Sequence, residues 1–253
     1  MQFKINQLLF SFLSLACIVR ALPFSSEQPS HSDLAITKRF PAGTPPDTFT
    51  AKFGTAQYHL TRMTSGTTGV VYRVQPHFTL QTGQYAAVAK TIATKPKWNP
   101  SAEATNLGVA EQFIWYGADQ TGRNWLIMKD MEAYGYRSLD FWIRQQQSVA
   151  AQKLILQAAL DPFVDASVKY LEKGLLYADV NSNNIFLTTP QPVVNAQNQL
   201  TGFTFADGDF IDFDPEGVPR STMNAQGGTS NFKKSRRIMY RDEMKATYPH
   251  LFA

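Results

Sequence analysis

The pattern of the sequence changes near residue 131, and that change restricts the folds that the chain can adopt. Between residues 55 and 92, runs rich in β-branched and aromatic residues alternate with turn residues, which predicts strands in AQYHLTRM, GVVYRVQPHFTL and QYAAVAKTI. A short helix is predicted over 101–113, with Ser101 as its N-cap and Glu103 in its first turn. Two further strands, FIWYG and NWLIMKDM, complete a β-rich first half.

The second half has a helical pattern. SLDFWIRQQ and SVAAQKLILQAALDPFVDASVKYLEKG place apolar residues three and four positions apart, as amphipathic helices do. We expect the apolar face of the long helix to contain Leu154, Ala158, Phe163, Val164, Val168 and Leu171. Strands followed by helices predict an α+β fold with two lobes, divided between Met131 and Ser138.

The first residues have the organisation of a secretory signal. Lys4 precedes the apolar run LLFSFLSLACIV and the small Ala21 follows it, so residues 1–21 are predicted to be a signal peptide. The run is short for a membrane span, so we expect no span in the mature chain. The polar SSEQPSHSD that follows disfavours the alternative of a buried helix. These features predict a protein of the secretory pathway.

A dibasic pair predicts a second cleavage. Lys38 and Arg39 resemble a kexin-like processing site, so residues 22–39 are expected to be a propeptide or linker and residues 40–253 the folded domain. A site of this kind after a short propeptide fits a fungal secretory protein. The sole cysteine, Cys17, lies in the predicted signal peptide, so the domain would be stabilised by its hydrophobic core without disulfides.

The charge of the chain does not favour a nucleic-acid partner. The formal net charge is +4, and the densest basic run is FKKSRR at residues 232–237. A single short run of this kind is more often a solvated face than a binding surface. We therefore expect no nucleic-acid binding.

The β-rich half contains residues suited to a phosphate group. Gly66 and Gly69 lie in a predicted turn between two strands, where glycines let backbone N–H groups approach an anion closely. Lys90 ends the apolar strand AVAK, and an inward-pointing ammonium needs an anionic partner. Glu103 on the predicted helix could supply one carboxylate. An ordinary hairpin and an ordinary strand end remain alternatives.

The helical half adds polar residues next to apolar elements. The segment GLLYADVNSNNIFL has Asp179 and Asn184 five residues apart between two apolar stretches, and FIDFD places Asp212 at the end of another predicted strand. One interpretation is a solvated turn. The other is a catalytic loop in which a carboxylate and a carboxamide face a common point.

Taken in this order, the motifs resemble those of the protein-kinase family over about residues 50–215. The resemblance implies a kinase-like two-lobed fold, with an N-lobe over about 50–132 and a shortened C-lobe over about 133–253. It also implies a glycine-rich loop with Gly66 and Gly69, Val71 over the base, and a hinge in LIMKDM where backbone groups of Lys129 to Met131 hold adenine.

The resemblance implies ATP and Mg²⁺ as cofactors. Lys90, paired with Glu103, would hold the phosphates, and Asn184 and Asp212 would bind the metal as hard oxygen ligands. Asp179 would orient or deprotonate the acceptor hydroxyl. The partners are then a nucleotide and an unknown protein or small-molecule acceptor.

Several positions depart from the kinase pattern. Tyr177 and Ala178 replace the histidine and arginine before the catalytic aspartate, so regulation by loop phosphorylation is not expected. Asn181 replaces a lysine, and Asp214 replaces the glycine of the DFG motif, where it could stiffen the loop or add a metal ligand. An insertion of about twenty residues follows Asn184, which leaves Asp207 and Asp209 as rival metal ligands.

Three functions therefore compete at the level of sequence. The first is an active secreted kinase, or a small-molecule phosphotransferase of the aminoglycoside or choline type, which shares the Asp-x4-Asn spacing. The second is a secreted pseudokinase that acts as a binding or effector module without catalysis, which the short stretch after Asp212 favours. The third is an unrelated secreted α+β protein. The retained charged residues favour the first.

Overall fold

The structure is a computed structural model that describes residues 46–65, 69–92, 100–221 and 225–253. The strands are β1 (Thr48–Phe53), β2 (Ala56–Ser65), β3 (Gly69–Leu80), β4 (Gly83–Ile92), β5 (Phe113–Ala118), β6 (Asn124–Lys129), β7 (Arg137–Ser138), β8 (Ile185–Leu187), β9 (Gln191–Val194), β10 (Leu200–Thr204) and β11 (Gly208–Phe210). The helices are α1 (Pro100–Val109), α2 (Leu139–Arg144), α3 (Val149–Glu172) and α4 (Ala225–Thr247), followed by a 3₁₀ turn, Pro249–Leu251. The predicted α+β class is confirmed.

The strands form three antiparallel sheets. The largest has six strands in the order β1-β2-β3-β4-β6-β5, and it contains all the strands predicted from the first half of the sequence. A three-stranded sheet has the order β11-β8-β7, and β9 pairs with β10 as a separate two-stranded sheet.

Alternation along the strands gives the six-stranded sheet two different buried faces. Ala87 and Ala89 of β4 pack on one side, whereas Val88 packs on the other. The paired strand β6 behaves in the same way, with Ile127 on the first side and Leu126 on the second. Successive side chains of a strand point to opposite faces of the sheet. The second face is the one that meets the helices, because Val88 and Leu126 share a hydrophobic cluster with helix residues.

Each face has its own hydrophobic cluster. The first, here called the sheet core, consists of Ala51, Phe53, Tyr58, Leu60, Val70, Tyr72, Val74, Phe78, Ala87, Ala89, Ile114, Trp125 and Ile127. The second, the helix core, joins the sheet to the rest of the chain and includes Val88, Leu107, Leu126, Met128, Ile155, Phe163, Tyr170, Tyr177, Phe210, Phe213, Tyr240 and Met244.

The long helix α3 is present, but its buried face differs from the prediction. Phe163, Val164 and Leu171 are buried as expected. Leu154, Ala158 and Val168 are only partly buried, and the structure buries Ile155, Leu156, Ala159, Ala166, Ser167 and Tyr170 instead. The physical reason is that α3 contacts both α4 and the strands β8, β10 and β11, so it buries a wider arc than a single stripe.

Local capping sets the starts of the C-terminal helices. The side chain of Ser138 accepts a hydrogen bond from the N–H of Phe141 at 3.1 Å, and Ser148 accepts one from Ala151 at 3.1 Å. The prediction of Ser101 as an N-cap is wrong, because α1 already includes Pro100. Proline suits the first turn of a helix, where its missing N–H costs nothing.

The insertion after Asn184 forms a hairpin rather than an irregular loop. Strands β8 and β11 pair directly, with Ile185 opposite Phe210, and β9 and β10 extend from this ladder as a separate ribbon. The second strand ends at Phe210, so Asp212 lies two residues beyond it and not within its end as predicted.

The described residues belong to one compact unit, Phe40–Ala253. The predicted signal peptide, propeptide and processing site lie outside the described residues. None of the helices in the described part of the chain is long and apolar enough to cross a membrane.

Candidate functional site

Three charged residues from distant parts of the chain meet at Lys90. Its Nζ donates to Oε1 of Glu103 at 2.8 Å and to Oδ1 of Asp212 at 2.9 Å. Glu103 is 13 residues away and Asp212 is 122 residues away, so the fold and not the local sequence brings them together. These residues are called the lysine cluster below.

The lysine cluster is buried on one side and open on the other. The side chains of Lys90 and Glu103 are 6% and 1% exposed, whereas that of Asp212 is 34% exposed. Burial alone lowers the pKa of Lys90, but the charges of Glu103 and Asp212 outweigh it and the pKa is raised. Lys90 is therefore a fixed cation whose partner Asp212 faces solvent.

The backbone of Asp212 adopts an unusual conformation. Its φ is 62°, in the left-handed region that non-glycine residues seldom adopt. Tyr177 holds the preceding residue, since its hydroxyl donates to the carbonyl of Ile211 and its ring stacks on Phe210 at 4.0 Å. Burial raises the pKa of Tyr177, so its hydroxyl stays protonated and remains a donor. The tyrosine thus positions the segment that contains Asp212.

A second polar group is formed by Asp179 and Asn184, which we call the loop pair. The Nδ2 of Asn184 donates to Oδ2 of Asp179 at 2.8 Å, so the two side chains do converge. Asn181 builds the turn between them, because its Oδ1 accepts from Asn183 at 2.9 Å and its carbonyl accepts from Asn184 at 2.9 Å. The loop is therefore a hydrogen-bonded turn with two side chains directed toward one another.

The pKa of Asp179 is raised. Desolvation is the largest cause, followed by the negative charges of Asp212 and Glu243, while the hydrogen bond from Asn184 acts in the opposite direction. A carboxylate with a raised pKa is a stronger proton acceptor than an unperturbed one. Glu243, on α4, had not been singled out in the sequence.

The two groups are adjacent through the β8–β11 ladder. The N–H of Ile211 donates to the carbonyl of Asn184 at 3.0 Å, one residue before Asp212. After desolvation, the charge of Asp212 is the next cause of the raised pKa of Asp179. The structure therefore brings Lys90, Glu103, Asp179, Asn184 and Asp212 into one region.

Asp214 stabilises a turn. Its Oδ1 accepts from the N–H of Glu216 at 2.9 Å, and its carbonyl accepts from Gly217 at 3.0 Å and Val218 at 2.8 Å. Of the two roles considered from the sequence, these contacts match the stiffening of the segment after Asp212.

The structure describes only part of the predicted glycine-rich loop. Gly66 lies outside the described residues. Gly69 opens β3, and a Cβ added there would lie 2.5 Å from the carbonyl oxygen of Thr91, so the close approach of β4 alone requires glycine. Val71 packs against the helix core, on the same face as Val88 and opposite Lys90 in the β3–β4 register.

The predicted hinge is a turn that follows β6. The carbonyl of Met131 is already engaged, since it accepts from Tyr134 at 3.2 Å and from Tyr136 at 3.1 Å. The N–H of Met131 donates to no backbone carbonyl in the part of the chain that the structure describes. The ammonium of Lys129 lies 6.0 Å from the ring centre of Tyr134.

The two rival aspartates are engaged elsewhere. Asp209 is buried and accepts from the hydroxyl of Tyr170 and, at 2.8 Å, from the N–H of Phe210. Asp207 accepts from the hydroxyl of Tyr136 at 2.7 Å. Neither contacts the lysine cluster, so the geometry favours Asp212 among the three.

The oxygen donors near Asp212 fit a magnesium ion that is shared with a ligand. Within residues 46–65, 69–92, 100–221 and 225–253, no three His, Cys, Asp or Glu side chains are grouped to hold a metal on their own. Asp212 and Asn184 offer hard oxygen atoms in a partly exposed place. Mg²⁺ commonly takes one or two protein ligands and completes its shell with water and phosphate oxygens.

A cavity of about 290 Å³ lies away from these groups, beside the turn after β6. It is lined by both strands of the β3–β4 pair and by the turn, where Arg73 joins the two through bonds to Asp130 at 3.0 Å and Glu132 at 2.6 Å. Lys90, Asp179 and Asp212 are not among its lining residues.

Asn106 is a site residue that was not predicted. It is buried on α1, three residues after Glu103, and its carboxamide donates to two backbone carbonyls of the segment after Asp212. A polar residue on the same helix face as Glu103 and Leu107 was the only sign of it in the sequence. Comparison with known proteins adds no assignment, because no family and no curated protein matches the chain.

Proposed function

We propose that the chain is a secreted, protein-kinase-like phosphotransferase that binds ATP with Mg²⁺ and phosphorylates a hydroxyl of a protein or small molecule. The order of the elements supports an N-lobe over about residues 50–132 and a shortened C-lobe over about 133–253, because the six-stranded sheet ends at Lys129 and helices α2, α3 and α4 follow it. Secretion is supported by the N-terminal sequence, and the mass of the protein recovered from culture medium tests it.

The lysine cluster is the observation that carries this proposal. An ammonium has three N–H donors, and Lys90 uses two of them on Glu103 and Asp212. A buried lysine held by two carboxylates, one of them facing solvent, is suited to take a phosphate oxygen as its remaining acceptor. An ordinary structural ion pair does not need the second, exposed carboxylate.

The remaining residues have defined roles in this chemistry. Lys90 holds the phosphates, the N–H of Met131 donates to the adenine ring, and Asn184 and Asp212 hold the metal. Asp179 accepts the proton of the acceptor hydroxyl as its oxygen bonds to phosphorus and the bond to ADP breaks. Bound Mg²⁺ would neutralise charge on the phosphate oxygens.

The test is Asp179→Asn, with ATP turnover measured in the presence of Mg²⁺ and a mixture of protein and small-molecule hydroxyl acceptors. We expect turnover to fall about 10²- to 10⁴-fold, because the carboxamide does not accept the proton. ATP affinity should stay nearly unchanged, since Asp179 does not contact Lys90. Asp207→Asn is the matched control and should change neither quantity. Turnover that survives Asp179→Asn would contradict the assignment of the base.

A nucleotide-binding pseudokinase is the second candidate, and one contact favours it. The carboxamide of Asn184 donates to Asp179 and thereby occupies one oxygen of the proposed base. A protein of this class would bind ATP through the lysine cluster and show no turnover in the same assay. A wild-type chain that binds no ATP would contradict both candidates.

A further inference from the structure

Helix α1 contacts the lysine cluster and, one turn later, the segment after Asp212. Glu103 contacts Lys90, and Asn106, only 4% exposed, faces the segment after Asp212. The Nδ2 of Asn106 donates to the carbonyl of Phe213 at 3.3 Å and to that of Val218 at 2.9 Å. One side chain therefore holds both ends of a six-residue segment.

The segment between these carbonyls forms a turn with internal hydrogen bonds. The carbonyl of Asp214 accepts from Gly217 and Val218, and the side chains of Phe213 and Val218 are fully buried. Both carbonyls captured by Asn106 thus belong to residues whose side chains are anchored in the helix core.

The same segment holds the loop of Asp179. The carbonyl of Gly217 accepts from the N–H of Ala178 at 2.9 Å and from that of Asp179 at 3.2 Å. One residue beyond the segment, the carbonyl of Pro219 accepts from the N–H of Leu176 at 3.0 Å. A Cβ added to Gly217 would lie 3.0 Å from the Cβ of Asp179. The backbone of the proposed base therefore rests directly on this segment.

We propose that Asn106 is a positioning residue that keeps the candidate site permanently assembled. Its two hydrogen bonds connect α1, which holds Glu103 against Lys90, to the segment that supports Asp179. The lysine cluster and the loop pair then keep one relative position without a ligand or a modification. The link between the two groups stands on geometry alone, and only its chemical consequence rests on the proposed function.

Asparagine suits this role for a chemical reason. A carboxamide nitrogen has two N–H groups and no charge, so it satisfies two buried carbonyls at once without bringing an ion into the core. Leucine has a similar volume and offers no donor, so it would leave both carbonyls unpaired.

The test is amide hydrogen exchange of the full chain with Asn106→Leu. We expect the N–H groups of Ala178, Asp179 and Val218 to exchange about tenfold faster or more, while those of Val88 and Ala89 in β4 keep their wild-type rates. Thr105→Ala, on the exposed side of the same helix, is the control and should leave all these rates unchanged. A merely structural role would raise exchange throughout the chain, including β4, and would overturn the proposal.

A second measurement needs no variant. In the wild-type chain, protection of residues 176–179 and 217–218 should be the same with and without Mg²⁺ and ATP, because the segment is already held. An increase on adding nucleotide would overturn the permanent assembly. A wild type that binds no ATP would contradict the proposed function, and the Asn106→Leu exchange would still decide the role of Asn106.

Discussion

The lysine cluster and the loop pair are neighbours, yet the chain builds them in opposite ways. Lys90 and Glu103 are buried, come from a strand and a helix, and depend on the packing of the whole domain. Asp179 is exposed, and its partner Asn184 is five residues away in the same turn. The first group is part of the core, whereas the second belongs to the surface.

The difference has an energetic consequence. A buried charge that loses its partner is costly, so substitutions in the lysine cluster affect folding and ligand binding together. The raised pKa of Asp179 means that the fold disfavours its ionised form, so loss of that charge should not lower stability near neutral pH. Substitutions in the lysine cluster should therefore change nucleotide binding and stability together. Substitution of Asp179 should change the proposed proton transfer without lowering stability.

The largest expected effect is that of Lys90→Met on stability. Glu103 would lose its cationic partner in the core, and we expect unfolding to become easier by about 3–5 kcal/mol in denaturant titration. Combining it with Glu103→Gln should recover part of this loss, since the buried charge is gone, without restoring ATP binding. Lys173→Met, which breaks a surface pair with Glu111, is the control and should cost less than about 1 kcal/mol. Equal costs at the two sites would remove the distinction between core and surface.

A smaller effect is expected for Asp212→Asn. Lys90 keeps Glu103, so stability should change little, but loss of the charged oxygen should weaken Mg²⁺-dependent ATP binding about tenfold to a hundredfold in calorimetry. Asp207→Asn provides the same chemical change on a residue that contacts Tyr136. If Asp207→Asn weakens binding and Asp212→Asn does not, the metal ligand is Asp207 in the insertion and not Asp212.

The smallest expected effect is a gain in stability from Asp179→Asn. The pKa of Asp179 is raised in the folded chain, so its ionisation costs stability as pH rises from the ordinary value of 3.8 through the folded value. Asparagine does not ionise, so thermal unfolding should show equal melting temperatures at acidic pH and a higher one for the variant near neutral pH. Added salt should reduce the difference, because Asp212 and Glu243 contribute by charge.

Asp242→Asn, on the exposed face of α4, is the control for the same chemical change at another surface carboxylate. A variant that melts at a lower temperature than the wild type at neutral pH would mean that Asp179 stabilises the fold.

The sequence predicted the parts of the fold that depend on local pattern. Strands β2 to β6 coincide with the predicted runs of β-branched and aromatic residues, and α2 and α3 coincide with the two predicted helical stretches. Lys90 was singled out as an ammonium that ends an apolar strand and needs a partner. The strand continues to Ile92, but the structure supplies two partners for the ammonium.

Contacts between distant segments were beyond the sequence. Asn106 donates hydrogen bonds to carbonyls 107 and 112 residues away. Local sequence patterns do not predict which distant backbone carbonyl a side chain will contact. The buried arc of α3 was misjudged because it is set by two packing partners, α4 and the strands beside it. The start of α1 was misjudged because a serine after a proline satisfies the same local rule as a true N-cap.

The hairpin inserted between Asn184 and Asp212 leaves and rejoins the chain at neighbouring points of one ladder. Thr188 and Asp207 are bonded backbone to backbone at 3.2 Å, and Leu187 lies opposite Gly208. The distance in space between Asn184 and Asp212 therefore does not depend on the length of the insertion. Its exposed tip near Asn198 is a natural attachment point for a fluorescent reporter domain, because a graft there extends the ribbon and leaves the β8–β11 rungs unchanged.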